Sequence, residues 1–314
     1  MNSDISVIIP VYNGQKHIAK AIDSVIRQTW TPMEIIVVND GSTDNTLDVL
    51  LSYAGRVTII TTPNRGVSSA RNTGIKVAKA AWIAFLDADD AWHDDKLEKQ
   101  VNALAAHPQA GICCCDYSYQ ERNAPETTYF TYLASINAGS VDAWANNPLL
   151  GLIGINFVGT ASTVLVKRSL LRTLGGFNAK FKQAEDYDLW IRCALHAGFA
   201  VMPDVLVRKV RHTSNLTNNQ AETIYFHELV LEEHRHRNTF DACDRGPSEL
   251  MFALAKTRYH MANVYFQNKQ YRACFRYCKK ALLTDLSLRN AKFFLYYAIR
   301  KSFRILSFGL LRTQ

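Results

Sequence analysis

The chain has 314 residues, of which 48% are apolar and 20% charged, so it can bury a large core and is not intrinsically disordered. The formal net charge is +8, but residues 245–314 carry fourteen Lys or Arg and two acidic residues, which leaves the first 244 residues at −4. This distribution argues against a nucleic-acid-binding catalytic body. The basic tail fits an anionic surface such as a membrane, and it fits a solvated helix face equally well.

Neither the first apolar stretch nor the cysteine content indicates a secreted protein. The first apolar stretch, residues 5–12, is short, contains Pro10 and lacks a preceding basic segment, so it does not have the pattern of a signal peptide. Seven cysteines, three of them consecutive at 113–115, lack paired metal spacing, and an odd number fits a reducing compartment. These features predict a cytoplasmic protein.

The first half alternates short strand patterns with helical patterns. Strands are predicted at 6–9, 35–38, 57–61 and 82–86, and helices at 15–28, 44–53 and 67–80. Near-continuous apolar strands joined by helices predict an α/β fold with a Rossmann-like, mostly parallel central sheet flanked by helices. Ligands of such sheets bind beyond the carboxyl ends of the strands, so the polar residues there are the candidates for function.

The second half is less regular. Asp94 is a candidate N-cap for a helix to about residue 105. The patterns then predict a strand over 111–119, a loop-rich region over 120–159 facing the acceptor, a strand over 161–166 and a helix over 187–196.

From about residue 221 the pattern is helical. Residues 259–281 are similar to one helix pair of a tetratricopeptide-like repeat. Further on, apolar residues recur at helical spacing beside a basic face: Tyr296, Ile299, Phe303, Leu306 and Leu310. This basic amphipathic C-terminal helix is predicted to contact either a membrane surface or a protein, as in an oligomer.

Two strands end in polar turns that suit a nucleotide. Pro10, Tyr12 and Asn13 end the first strand, and Asp40 ends the second. A carboxylate such as Asp40 can accept a hydrogen bond from the imide N–H of uracil. Asp44 is predicted to cap the following helix.

The third helix and the fourth strand bring opposite charges to the same edge. Arg71, on the early turns of its helix, can bind a base or phosphates through charge-assisted hydrogen bonds. Asp87, Asp89 and Asp90 follow an apolar strand within four residues. Carboxylates this close need a cation or hydrogen-bond donors to compensate their charge, and Mg²⁺ or Mn²⁺, which prefer oxygen ligands, could supply it.

A second acidic pair opens the helix near residue 187. Asp186 is a candidate general base that takes a proton from the attacking acceptor hydroxyl, and Glu185 is a candidate acceptor-binding residue. Either one can instead complement the helix dipole. His212, after the basic segment 208–211, is a candidate nitrogen ligand of the metal, while the neighbouring arginines can meet phosphate charge.

Taken together, five segments resemble a known family. The segments are 6–13, 40–44, 71–74, 87–89 and 185–186. In this order they resemble glycosyltransferase family 2 with its GT-A fold, over roughly residues 3–217. The resemblance implies an inverting transfer from a nucleotide-diphospho-sugar, most often UDP-linked, with Mn²⁺ or Mg²⁺.

The resemblance also implies a role for single residues. Pro10, Tyr12, Asp40 and Arg71 would lie at the nucleotide, and Asp87 at the ribose and diphosphate. Asp89 and His212 would serve the metal, and Asp186 would be the base. The chain lacks a Gln-x-x-Arg-Trp segment and a transmembrane bundle, so addition of a single sugar to a glycan or lipid-linked acceptor is favoured over processive synthesis.

The expected organisation is a glycosyltransferase domain over 1–220, with a nucleotide-sugar half at 1–115 and an acceptor half at 116–220, followed by a helical extension over 221–314. Two non-catalytic alternatives are a nucleotide-sugar-binding module and a scaffold that acts through its helical tail. A nucleotidyltransferase would typically show a glycine-rich phosphate loop near the N-terminus, which residues 10–15 do not supply.

Overall fold

A computed structural model of the chain describes residues 4–120, 125–210, 219–241, 243–287 and 289–292. The chain divides into two compact units, Met1–Asn218 and Asn219–Gln314. The stripe predicted at 296–310 and the candidate ligand His212 lie outside the described residues.

The first unit is built on one nine-stranded sheet. Its strands are β1 (Ile5–Val11), β2 (Glu34–Asn39), β3 (Thr58–Thr61), β4 (Trp82–Phe85), β5 (Ala91–Trp92), β6 (Ala110–Gln120), β7 (Glu126–Thr128), β8 (Leu165–Lys167) and β9 (Gly198–Lys209). The order is β3-β2-β1-β4-β8-β6-β9-β5, with β7 paired to β6. The first four strands are parallel, whereas β8, β5 and β7 pair antiparallel with their neighbours.

Helices flank the sheet. They are α1 (Ile18–Ile26), α2 (Thr46–Leu51), α3 (Val67–Val77), α4 (Lys96–Ala106), α5 (Tyr129–Ser135), α6 (Val141–Asn146), α7 (Pro148–Gly154), α8 (Arg168–Leu174) and α9 (Glu185–Ala194). All seven residues of β1 are buried, as expected for a central strand covered on both faces. The α/β class predicted from the first half is therefore confirmed, and parallel pairing also occurs in the second half, between β6 and β9.

A glycine sets the position of α3 against the sheet. A Cβ at Gly74 would lie 2.5 Å from Cγ2 of Ile8 on β1, closer than real side chains approach. The bare Cα therefore lets α3 lie directly on the strand. This contact fixes the helix turn that carries Arg71.

Three local predictions were wrong. Asp94 does not cap α4, because the N-cap of that helix is Asp95. The Asp94 carboxylate instead accepts a hydrogen bond from Nε of Arg27 at 3.3 Å. Residues 161–163 form a 3₁₀ turn ahead of β8, so the strand predicted over 161–166 begins late. The region 120–159 contains β7 and three short helices, α5 to α7.

The three helices of this region have side-chain caps that explain them. Thr128, Ser140 and Asn147 each accept a backbone N–H of the helix that follows. The pair Asn147-Pro148, within the region predicted to be rich in loops, is an N-cap followed by proline at the first helical position. A helix-start signal was therefore misread as a loop signal.

The described part of the second unit contains helices α10 (Gln220–His236), α11 (Gly246–Gln267) and α12 (Tyr271–Thr284). Nε of Arg258 on α11 donates to Glu228 of α10 at 2.8 Å, and Nζ of Lys280 on α12 donates to the same oxygen at 2.6 Å. Arg258 also donates to Glu232 and to Thr284. One buried charge network thus ties the three helices together. Within the described residues, none of the helices is long and apolar enough to cross a membrane.

Candidate active site

The turns after β1 and β2 interlock at one edge of the sheet. Asn13 adopts a left-handed conformation with φ of 51°, its Oδ1 accepts from the Thr43 N–H at 2.8 Å, and its own N–H donates to Oγ of Ser42 at 3.0 Å. Pro10 is buried within β1, whereas the Tyr12 side chain is 51% exposed. The predicted nucleotide-binding turn is therefore a fixed frame that presents one aromatic ring to solvent.

Asp40 shapes the loop that leads into α3. It is buried, and its carboxylate accepts from the backbone N–H groups of Arg65 at 3.0 Å and Gly66 at 2.8 Å. The next residue, Gly41, has φ of +69°, and a Cβ there would lie 2.7 Å from the Asn64 nitrogen. The Thr62 hydroxyl also donates to Asp40, at 3.4 Å. Because a carboxylate has about four acceptor positions, these three bonds leave acceptor capacity for about one more donor at Asp40.

Asp44 was predicted to be the N-cap of α2, but the N-cap is the next residue along the chain. The N-cap of α2 is Asn45, and Asp44 accepts from the backbone N–H of Thr46 at 3.0 Å through Oδ1 and from Gln15 at 3.3 Å through Oδ2. These hydrogen bonds lower the pKa of the carboxyl, although partial burial opposes them. Asp44 therefore belongs to the frame of the turn.

Arg71 is the centre of the site. Its side chain is only 5% exposed, its Nη2 donates to Asp87 at 2.7 Å, and its Nη1 donates to Glu185 at 2.6 Å. The guanidinium also lies 5.0 Å from the ring centroid of Phe177. Burial alone would lower the pKa of Arg71, but the two carboxylates outweigh it and raise the value.

Asn72, next to Arg71, holds the backbone of Phe177 in place. The Asn72 amide donates to the Phe177 carbonyl and accepts from the Phe177 N–H, both at 2.8 Å. The same turn needs Gly176, which has φ of +73° and whose Cβ would lie 2.3 Å from the Asn72 oxygen. The pair Arg71-Asn72 therefore joins α3 to the segment that precedes α9.

The acidic residues after β4 are held by the segment before β8. The Asp87 N–H donates to Oγ of Ser162 at 3.0 Å, and the Ser162 hydroxyl donates to Asp90 at 2.7 Å. The Thr160 hydroxyl donates to Asp87 at 3.2 Å. Burial would raise the pKa of Asp87, but Arg71 and Lys209 lower it, so Asp87 is an anion.

Asp90 differs from Asp87. It is buried, and burial raises its pKa to about 7, with Asp87 and Asp89 adding to the rise and Lys209 opposing it. The hydrogen bond from Ser162 holds the Asp90 carboxyl in its buried position. Of the three carboxylates, Asp87 and Asp89 are the partly exposed ones.

Lys209 is a site residue that sequence reasoning missed. It ends β9 next to Arg208, which pairs with Ala91 of β5, so it lies across from Asp90. Burial would lower the pKa of Lys209, but the charges of Asp90, Asp87, Asp89 and Asp186 raise it. The signal in the sequence was the basic run 208–211, in which no single residue stands out.

Asp186 and Glu185 occupy different environments at the start of α9. Glu185 is buried against Arg71, whereas Asp186 is partly exposed and accepts from the Tyr187 N–H at 2.7 Å. Burial and the charge of Glu185 raise the pKa of Asp186 to about 7. The residue before them, Ala184, has φ of 60°, a strained conformation for a non-glycine residue and one that clusters at functional sites. A carboxylate with this pKa is suited to general base chemistry.

Stacked tyrosines lie on β6 and α5, in the second half of the unit. The rings of Tyr117 and Tyr129 are stacked at 4.9 Å, and those of Tyr129 and Tyr132 at 6.2 Å. The Tyr132 side chain is 44% exposed. Burial raises the pKa of Tyr129, and the charges of Tyr132 and Asp186 add to the rise, which places the stack within electrostatic reach of the acidic pair.

The donor atoms after β4 fit a hard divalent ion. Within the described ranges, no group of three His, Cys, Asp or Glu could hold a metal by itself. Mg²⁺ is typically held by one or two carboxylates together with substrate phosphates, and the partly exposed Asp89 beside Asp87 offers such a set.

Comparison with known proteins identifies the family. The sequence pattern of "Glycosyl transferase family 2" matches residues 6–162. An uncharacterized glycosyltransferase of Rickettsia typhi is 32% identical over 227 residues, which are 72% of this chain and 70% of the relative. Two solved structures are similar in fold at 18% identity.

The first of these structures is S. aureus TarS 1–349 in complex with UDP-GlcNAc, with a TM-score of 0.58 over 91% of this chain and 93% of that one. The second is the mannosyltransferase PcManGT of Pyrobaculum calidifontis in complex with GDP-Man and Mn²⁺, with a TM-score of 0.59 over 95% and 80%. The fold is thus that of GT-A glycosyltransferases, as predicted. The chain belongs to glycosyltransferase family 2.

Proposed function

We propose that the protein transfers a single sugar, with inversion, from a nucleotide-diphospho-sugar to an acceptor hydroxyl, and that the donor is UDP-linked. The observation that carries this proposal is Asp186, a partly exposed carboxylate with a pKa of about 7 beside the Arg71 network. A site that only bound a nucleotide sugar would have no need of such a base.

The donor would lie on the frame built by the first two strands. The exposed Tyr12 ring beside Asn13 can stack on the nucleobase of the donor. The remaining acceptor capacity of Asp40 suits the imide N–H of uracil. Arg71 donates to both Asp87 and Glu185, so its role toward the nucleotide is to hold Asp87 in place for the ribose and diphosphate. Lys209 supplies a permanent positive charge for the phosphates.

Asp89 would hold the metal, together with His212. A bound Mn²⁺ or Mg²⁺ would neutralise the charge of the leaving diphosphate. Asp87 stays anionic beside it because Arg71 and Lys209 lower its pKa. The support for a metal is the donor set itself and the similarity in fold to a neighbour solved with Mn²⁺.

Asp186 would take the proton of the acceptor hydroxyl as that oxygen attacks the anomeric carbon. Glu185 was expected to bind the acceptor, but its carboxylate is directed to Arg71, so we assign it to positioning Arg71 and to raising the pKa of Asp186. The acceptor would approach along Tyr132, whose exposed ring offers an apolar face to a sugar. We propose a glycan or lipid-linked acceptor on this ground.

The test is a thermal-shift panel of UDP-, GDP- and dTDP-linked sugars, each with and without Mn²⁺. A donor that binds the folded state raises the melting temperature by mass action, so the cognate donor is expected to stabilise the protein only with metal. The cognate donor is then used in a transfer assay against a glycan panel, with the anomeric configuration of the product read by NMR. A retained configuration, or stabilisation without any transfer by the intact protein, would contradict the proposal.

A further inference from the structure

One side of α12 exposes aromatic and aliphatic side chains at helical spacing. Tyr271 is 61% exposed, Phe275 is 73% exposed, and Leu282 lies on the same strip because seven residues make about two turns. The opposite side of α12 packs on α11, with Ala281 fully buried and the rings of Tyr277 and Tyr265 5.4 Å apart. We call the exposed side the outer face of α12.

A strip of cations runs beside these apolar residues. Arg272, Arg276 and Lys279 are exposed and fall roughly a quarter turn around the helix from Tyr271 and Phe275. Residues 250–284 contain seven Lys or Arg and no acidic residue. The outer face therefore combines an apolar strip with an unbalanced positive strip.

We propose that the outer face of α12 docks the protein on an anionic lipid bilayer, with the ring strip at the depth of the headgroups and the cation strip on lipid phosphates. An apolar strip alone would suit many partners, but the adjacent cations favour a partner that combines apolar and anionic groups, and Leu283, 65% exposed, adds an apolar side chain among the cations. The surface of an anionic bilayer offers both along its whole extent, and helices with Phe and Leu beside Lys and Arg bind such interfaces.

This docking does not depend on the transfer reaction, because lipid binding is measured without donor or acceptor. It also differs from the contact predicted for residues 296–310, since it rests on α12. If the docking and the transfer reaction are both correct, the protein would work at the membrane surface, where lipid-linked acceptors are found. If either proposal fails, the other can still be tested.

The experiment is co-sedimentation of the full chain with vesicles of phosphatidylcholine alone and of equimolar phosphatidylcholine and phosphatidylglycerol, at low and high salt. The Phe275→Ser variant leaves the charge unchanged and is expected to reduce partitioning into anionic vesicles about tenfold by losing an inserted ring. The double variant Arg272→Gln/Arg276→Gln is expected to reduce it about 25-fold at low salt, at about fivefold for each cation. The difference from the unmodified chain should shrink at high salt.

Matched control variants remove exposed apolar or cationic side chains from helices other than α12. Leu51→Ser removes an apolar side chain that is 57% exposed on α2, and Lys20→Gln/Lys76→Gln removes two exposed cations from α1 and α3. Both controls should bind anionic vesicles like the unmodified chain. The donor-induced thermal shift should persist in every variant, because none of these residues belongs to the site.

Three results would overturn the proposal. The first is failure of the full chain to bind anionic vesicles at low salt. The second is an equal loss of binding in the control variants, which would show a diffuse charge effect. The third is unchanged vesicle binding by the α12 variants together with a lower mass in light scattering, which would make the outer face of α12 an interface between copies of the chain.

Discussion

Arg71 holds two carboxylates from distant parts of the chain on one guanidinium. Asp87 follows β4 and Glu185 opens α9, and both bonds are made where the arginine is almost fully buried. Removing one partner of a buried pair leaves an uncompensated charge, which costs about 3 to 5 kcal/mol. Arg71 therefore helps to position the proposed base, Asp186, through its neighbour Glu185, without having to contact the acceptor.

The first prediction concerns the base. Asp186→Asn should retain donor affinity and lose at least about two orders of magnitude in kcat, because the amide cannot accept the acceptor proton. Isothermal titration with the cognate donor and steady-state transfer kinetics measure the two quantities separately. Transfer at a near-normal rate would remove Asp186 from the role of base and make Glu185 the next residue to substitute.

The second prediction concerns pH. Asp186 acts as a base only when deprotonated, and its pKa is raised to about 7, so kcat/KM should rise as pH increases through about 7. Glu185→Gln removes a charge that raises this pKa and keeps an oxygen for Arg71, so the acidic limb should move to lower pH. A limb that stays in place in this variant would show that another group controls it.

The third prediction concerns the metal. Asp89→Ala should abolish the Mn²⁺ dependence of nucleotide-diphosphate binding and leave the fold intact, because the side chain lies at the partly exposed edge of the sheet. Calorimetry with UDP, with and without Mn²⁺, reads this directly, and the unfolding midpoint without ligand serves as the control. Unchanged affinity and unchanged metal dependence would exclude Asp89 from the metal site.

At the scale of elements, the close contact of α3 with β1 positions Arg71. Gly74→Ala should destabilise the protein by about 1 to 2 kcal/mol, because the new Cβ lies 2.5 Å from Ile8 and the cost of overpacking exceeds the gain in helix propensity. Urea unfolding measures the change. The matched control is Gly154→Ala at the end of α7, where a Cβ would meet no atom within 4 Å. An equal response of the two variants would show that the contact is not tight.

The elements of the first half could be predicted because each strand is a short buried run and each helix an amphipathic one. All four strands and three helices there occur within a few residues of their expected positions. The second half could not be predicted as well. Its short helices, α5 to α7, depend on caps such as Asn147 more than on a long apolar pattern. The strand β9 alternates buried and exposed positions only in part and contains Pro203.

The candidate site was predicted as a set of strand ends and helix starts, since the carboxyl ends of parallel strands share one edge. Its internal bonding could not be predicted. Arg71 binds Asp87 and Glu185 because the fold brings α3, the turn after β4 and the start of α9 together, and Lys209 meets the acidic cluster through the pairing of β5 with β9. No local pattern reveals these contacts. The residues were visible in the sequence, but their partners became visible only in the fold.

At the scale of the whole molecule, the described candidate site residues belong to the unit Met1–Asn218, while the unit Asn219–Gln314 has its own buried charge network. Arg258→Leu should destabilise the helical unit by about 3 kcal/mol, because the nearly buried Glu228 loses its buried partner and keeps the half-exposed Lys280. The double variant Arg258→Leu/Glu228→Leu should recover much of this loss, since apolar residues can replace a buried ion pair.

Urea unfolding followed by far-UV circular dichroism measures both variants, and calorimetry with the cognate donor provides the control. Donor affinity is expected to be unchanged, because Arg258 and Glu228 lie outside the unit that carries the site. A double variant as unstable as the single one would mean that α10, α11 and α12 need this network for their specific packing. A loss of donor affinity would mean that the helical unit stabilises the donor site, and that substitutions in α10 to α12 have to be interpreted as changes to the enzyme as well.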